Sequence, residues 1–138
     1  MRKFSREILF KMIFAQNFGA EATQNSFDEI LELVLQDLDC KKEDIDLDYI
    51  TNAYNYITTN FDSLKQTVAD KISSYKASRI YNTDLIILVV AVYELNKLEM
   101  EPKIVISEAL KLAKKYSTEQ SIKFINGVLG AILKDKNE

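Results

Sequence analysis

Residues 84–98 read DLIILVVAVYELNKL, and the placement of this run decides the fold. From Leu85 to Val92 every side chain is apolar, so no helical wheel or strand pleat gives the segment a wet face. Two structures suit such a run: a strand buried on both faces, or a helix enclosed by others. The β-branched Ile86, Ile87, Val89 and Val90 favour a strand locally. Length and surroundings favour a helix. The segment is longer than a usual strand, and the rest of the chain offers it no strand to pair with. The reading is therefore a central, buried helix with other helices packed round it.

Outward from this run, apolar residues recur with a helical period nearly throughout, and seven helices can be drawn. The first spans about 3–18 and stops near Gly19. The second opens with Ser26 and Glu29 at capping-box spacing and runs to about Leu38. The third follows the acidic loop at Asp44–Asp46 and runs to about Thr59. The fourth is capped by Asp62 and ends near Tyr75. The fifth is capped by Asn82 or Thr83. The sixth has Pro102 in its first turn and ends near Tyr116. The seventh opens with Ser117 and Gln120, again at capping-box spacing, and runs to about Lys134. The expected class is all-α, over one domain spanning residues 1–138. With 138 residues, 47% hydrophobic, and only 3 Gly and 1 Pro, the chain can bury a sizeable core and suits long helices.

Composition removes most catalytic classes. There is no His, hence no Ser-His-Asp or Cys-His arrangement and no imidazole metal site. No glycine-rich phosphate loop is present. Cys40 is the single cysteine, so no internal disulfide can form, which suits a cytoplasmic home. Its acidic neighbours should raise its pKa and make a reactive thiolate unfavourable. Asp44, Asp46 and Asp48 lack the glycine and closing glutamate of a calcium loop. No apolar run approaches the length of a membrane span, and the N-terminus lacks a signal-peptide pattern. The expectation is a protein with no catalytic residues, metal or cofactor.

The formal net charge of −3 conceals an asymmetry. Residues 1–20 carry a local charge of +3, residues 21–48 one of −8, and residues 97–138 one of +2. Such a chain can present a basic surface although it is acidic overall. On a helical wheel, Phe4, Ile8, Leu9, Met12 and Ala15 form the core stripe of the first helix. Arg2, Lys3, Arg6, Phe10 and Phe14 fall opposite. Cations beside aromatic rings are what single-stranded RNA requires, since cations neutralise phosphates and rings stack on unpaired bases. Packing of Phe10, Ile13 and Phe14 against another helix explains the same pattern. In the seventh helix Ile122, Ile125, Val128, Leu129 and Ile132 form the core stripe. Phe124 lies to one side, with Gln120, Lys123 and Gly127. That glycine serves either close approach by another chain or close packing of a neighbouring helix.

Four segments also resemble the NusB family. They are IYNTDLIILVVAVYEL at 80–95, PKIVISEALKLAK at 102–114, SIKFINGVL at 121–129, and Arg6-Glu7 followed by Phe14 and Gln16. The Lys-Phe-Ile-Asn-Gly-Val-Leu string is the most specific of them. The resemblance implies a seven-helix bundle made of two helical sub-bundles. It also implies a transcription antitermination factor that binds the boxA element of nascent RNA together with NusE, a small-subunit ribosomal protein. That assembly helps RNA polymerase resist termination, notably in ribosomal RNA operons. Carried over by position, Arg2, Lys3, Arg6, Phe10 and Phe14 at one end and Gln120, Lys123 and Phe124 at the other would contact RNA. Asp84 would face NusE. Phe14 stands where the family often has Tyr, and Val89 where it often has Arg. The N-terminal tail is also less arginine-rich than in many members. Two other readings stand beside this one: a protein-interaction module of the same fold without RNA binding, and the non-catalytic N-terminal domain type of certain ribosomal RNA cytosine methyltransferases.

Overall fold

The structure is a computed structural model, which describes the backbone of residues 2–18, 26–72 and 80–136 and the side chains of 4–18, 26–72 and 80–135. Among them are seven α-helices and no strand: α1 (Arg2–Phe18), α2 (Phe27–Asp37), α3 (Leu47–Thr59), α4 (Phe61–Ile72), α5 (Asn82–Val92), α6 (Pro102–Tyr116) and α7 (Glu119–Lys136). The expected all-α, seven-helix class is what the chain adopts. The expected stop at Gly19 and the end of the fourth helix near Tyr75 lie outside the described residues. Contacts group the chain into two compact units, Met1–Thr59 and Asn60–Glu138.

In the first unit α1 packs against both α2 and α3. Two neighbours bury more of a helix than one, and this corrects the single stripe drawn for α1. Ile8, Leu9 and Met12 are fully buried as expected, and so are Ile13 and Ser5. Phe4, placed in the core by the wheel, is 39% exposed. The Ser5 hydroxyl accepts a hydrogen bond from the Asp46 backbone N–H at 2.9 Å, tying α1 to the entry of α3. Asp46 in turn caps α3, accepting from the Tyr49 N–H at 3.0 Å. Lys11 of α1 forms an ion pair with Asp37 of α2.

Helix α2 starts as the sequence indicates. Ser26 Oγ accepts from the Glu29 N–H at 3.2 Å, and Glu29 Oε1 accepts from the Ser26 N–H at 3.3 Å, a complete capping box. Its far end closes with paired bonds, Cys40 N–H to the Leu35 carbonyl at 2.9 Å and Asp39 N–H to the Gln36 carbonyl at 3.2 Å. This is a Schellman ending with Asp39 in the left-handed position, at φ 51°. The Cys40 thiol is pushed above its ordinary pKa, first by partial burial and then by the Asp44 carboxylate.

In the second unit α5 is the central helix, packed against α4, α6 and α7. Every residue from Asp84 to Val92 is buried, as expected of a run apolar on all sides. It begins two residues earlier than expected. Its N-cap is Tyr81, without a side-chain cap, rather than Asn82 or Thr83. Beyond Val92 the chain widens into a π-helical turn, Tyr93–Lys97, which keeps Tyr93, Glu94 and Leu95 buried. In α4, Asp62 lies in the first turn instead of capping it. No helix among the described residues is long and apolar enough to cross a membrane.

Gly130 sits inside α7 on its exposed side, and a Cβ added there would meet nothing within 4 Å. Gly130→Ala should therefore stabilise the protein by about 0.5–1 kcal/mol, by removing backbone entropy from the unfolded chain. A thermal melt followed by circular dichroism checks this. A lowered melting temperature would mean that the glycine meets a constraint not visible here.

Candidate RNA interface

The candidate residues fall in two places, α1 and the start of α7. Along α1 three phenylalanines stand one turn apart. Phe10 and Phe14 have ring centroids 6.3 Å apart, and Phe14 and Phe18 5.3 Å. Burial grades along this ladder. Phe10 is 3% exposed, Phe14 half-buried and Phe18 38% exposed. The outward placement expected for Phe10 is thus corrected, because its ring is buried and packs beside Phe14 rather than meeting a base itself. Arg6 is corrected likewise. It is 4% exposed and engaged in an interaction of its own, so it is not the outward cation that the wheel suggests. The side chains of Arg2 and Lys3 lie outside the described residues. Phe18 was missed, although the four-residue spacing from Phe10 and Phe14 is a readable signal for it.

The second place is the corner between α6 and α7. Thr118, not Ser117, caps α7, with Thr118 Oγ1 accepting from the Ser121 N–H at 3.0 Å. The first turns of α7 then turn Gln120 and Lys123 to the surface, while Ile125, Val128, Leu129 and Ile132 point into the core. Phe124 is half-buried, one helical turn on from Gln120 and adjacent in sequence to Lys123. Lys114 and Lys115, exposed in the last turn of α6, add charge at this corner. They were overlooked because cations in a last helical turn are already favoured by the helix dipole.

Asp84 is not where the family comparison put it. It is 2% exposed, and its two carboxyl oxygens accept from the hydroxyls of Ser117 at 2.6 Å and Ser121 at 2.7 Å. It offers no surface to a protein partner. Asp46, one of the three carboxylates read against calcium, is used as a helix cap.

In chemical terms, the α7 corner offers ammonium groups for phosphates, an amide for base edges and one ring with a reachable edge or face. These are groups suited to binding; the hydroxyls of Ser117 and Ser121 that meet the Asp84 carboxylate belong to a hydrogen-bonded set at the helix corner, in which Asp84 and Ser121 are buried.

Comparison with known proteins agrees in extent with this layout. The family model described as "NusB family" matches residues 2–134. The transcription antitermination protein NusB of Clostridium novyi (strain NT) is 34% identical over 134 residues, covering 96% of this chain and 98% of that protein. Its counterpart in Clostridium botulinum (strain Alaska E43 / Type E3) is 32% identical over 134 residues, with the same coverage of both chains. Among solved structures, T. maritima NusB is similar with a TM-score of 0.74 and 28% identity, covering 97% of this chain and 91% of that one. A structure of antitermination factors NusB and NusE in complex with double-stranded RNA shares the fold, with a TM-score of 0.78 at 24% identity over 97% of this chain and 96% of that one. The match runs through both units, from α1 to the last turns of α7, and the chain belongs to the NusB family.

Proposed function

We propose that this chain is a cytoplasmic transcription antitermination factor. In this reading it binds boxA-type single-stranded RNA together with NusE on the transcription elongation complex and promotes ribosomal RNA transcription. Its role is binding, with no chemical step of its own. One observation carries the reading: near-full-length similarity at 34% identity to a protein named for transcription antitermination. The exposed Gln120 and Lys123 beside the Phe124 ring support it, since they supply phosphate, edge and stacking contacts on one helix face. Arg2, Lys3, Phe14 and Phe18 are the contacts proposed for α1.

A second reading is favoured by a specific observation. Arg6 and Phe10 are buried and Lys11 is paired with Asp37, so the described part of α1 is less basic at its surface than its sequence. A module that binds protein partners without RNA would look the same there.

Fluorescence anisotropy with a labelled boxA RNA, a scrambled RNA and a duplex, each with and without NusE, separates the two. The antitermination reading predicts preference for boxA, tighter binding with NusE, and affinity that falls with salt by about 0.7 log units per log unit of salt for each phosphate contact. NusE binding without any RNA preference would establish the second reading instead.

A further inference from the structure

We propose that Asp84 is a positioning residue, which holds the first turns of α7 in the orientation that presents Gln120, Lys123 and Phe124 to RNA. This rests on the RNA-binding reading above. The argument begins with the corner itself. Only Ser117 and Thr118 separate α6 from α7, and neither is a proline, whose ring would fix the turn by its own φ. What holds the corner is a set of side-chain hydrogen bonds. Ser117 ends α6 in an extended conformation, its N–H donating to the Ala113 carbonyl at 2.8 Å and its hydroxyl to Asp84 at 2.6 Å. Ser121, in the first turn of α7, donates its N–H to Thr118 Oγ1 and its hydroxyl to the other Asp84 oxygen at 2.7 Å. The Thr118 hydroxyl lies 3.0 Å from Ser121 Oγ and completes the set.

Asp84 belongs to α5, 33 and 37 residues away in sequence from the serines it joins. Its helix is the most buried element of the unit, so the carboxyl group is a fixed point. Burying a carboxyl is costly unless both oxygens are bonded, and here both are. The cost therefore brings orientation: one rigid residue locks the last residue of α6 and the first turn of α7 together. Ser121 lies between Gln120 on one flank and Phe124, one turn on, on the other. A release of Ser121 would let that turn rotate and carry both flanking side chains with it. A ring that must meet a base edge on or face on tolerates little of such movement.

The test uses the full chain with Asp84→Asn, which retains shape but cannot accept from both serines, and with Ser117→Ala as the milder break. Three quantities are measured: affinity for labelled boxA RNA with NusE present, amide hydrogen exchange over residues 119–124, and the effect of Phe124→Ala in each background. A positioning role predicts that Asp84→Asn weakens RNA binding about tenfold, speeds exchange in the first turn of α7, and shrinks the effect of Phe124→Ala, because coupled residues are not additive. Unfolding alone would not shrink that effect in samples that remain folded by circular dichroism. Should Asp84→Asn not fold, Ser117→Ala carries the same three readouts. Unchanged affinity with a full Phe124→Ala effect overturns the proposal while leaving the RNA reading intact. Absence of RNA binding by the unaltered chain overturns both, and the exchange data then show whether the clamp is structural only.

Discussion

Leu88→Ala should cost about 2–5 kcal/mol, the range for removing a fully buried leucine whose surroundings cannot collapse. Leu88 is fully buried at the middle of α5, flanked in sequence by Ile87 and Val89, which are buried as well. Helices on several sides leave no free surface that can move in to fill the space. Against a total stability of about 5–15 kcal/mol for a domain, such a loss is a large fraction. It should lower the melting temperature by on the order of 10 °C for a chain of this size. Leu88→Met serves as the control, since it conserves volume and should cost less than about 1.5 kcal/mol. Equilibrium denaturation of both variants checks the pair. A loss below about 1 kcal/mol for the alanine variant would show that α5 is not the enclosed helix described here.

Phe124→Ala should act on binding rather than on folding. Stacking of a base on an aromatic ring is worth about 1–3 kcal/mol, which corresponds to about 5- to 150-fold in affinity. Phe124 is only half-buried, so the stability loss should stay below the roughly 3–5 kcal/mol of a fully buried phenylalanine. Phe124→Leu separates the two contributions, since it restores much of the apolar contact with the core but provides no ring to stack on. Titration of boxA RNA and a thermal melt, on both variants, give the four numbers needed. If Phe124→Ala destabilises strongly and RNA affinity is unmoved, the ring is a core residue and nothing more.

The helical class and the central position of α5 were legible because an uninterrupted apolar run of that length has few other solutions. The Ser26 and Glu29 box was legible because both halves of the cap lie within one turn. The cap of α7 was misread by one residue for a reason that local sequence does not contain. Ser117 and Thr118 can both serve as N-cap, and the hydroxyl of Ser117 is instead taken by Asp84, 33 residues away. The face of α1 was misread for a related reason. A wheel shows which side of a helix is most apolar, but the number of neighbours decides how much of the circumference is covered. Helix α1 packs against both α2 and α3, and Arg6 and Phe10 are buried rather than outward. On α7 the core stripe emerged as drawn, except that Ile122 is only half-buried. There the exposed side is the one expected, and it carries Gln120 and Lys123.

The widened turn at Tyr93–Lys97 has a consequence for where this chain can change length. A π turn holds one residue more than the α-helical path through the same rise, and the Leu98 N–H reaches back five residues to the Tyr93 carbonyl at 3.3 Å. Loss of one residue within that turn would relax it to ordinary helical spacing and leave the approach to α6 in place. Loss of one residue between Asp84 and Val92 has no such slack to draw on. It would swing every later side chain of the most enclosed helix by about a quarter-turn, and nearly all of them would meet the wrong neighbour. Length variation is thus confined by packing to one end of α5.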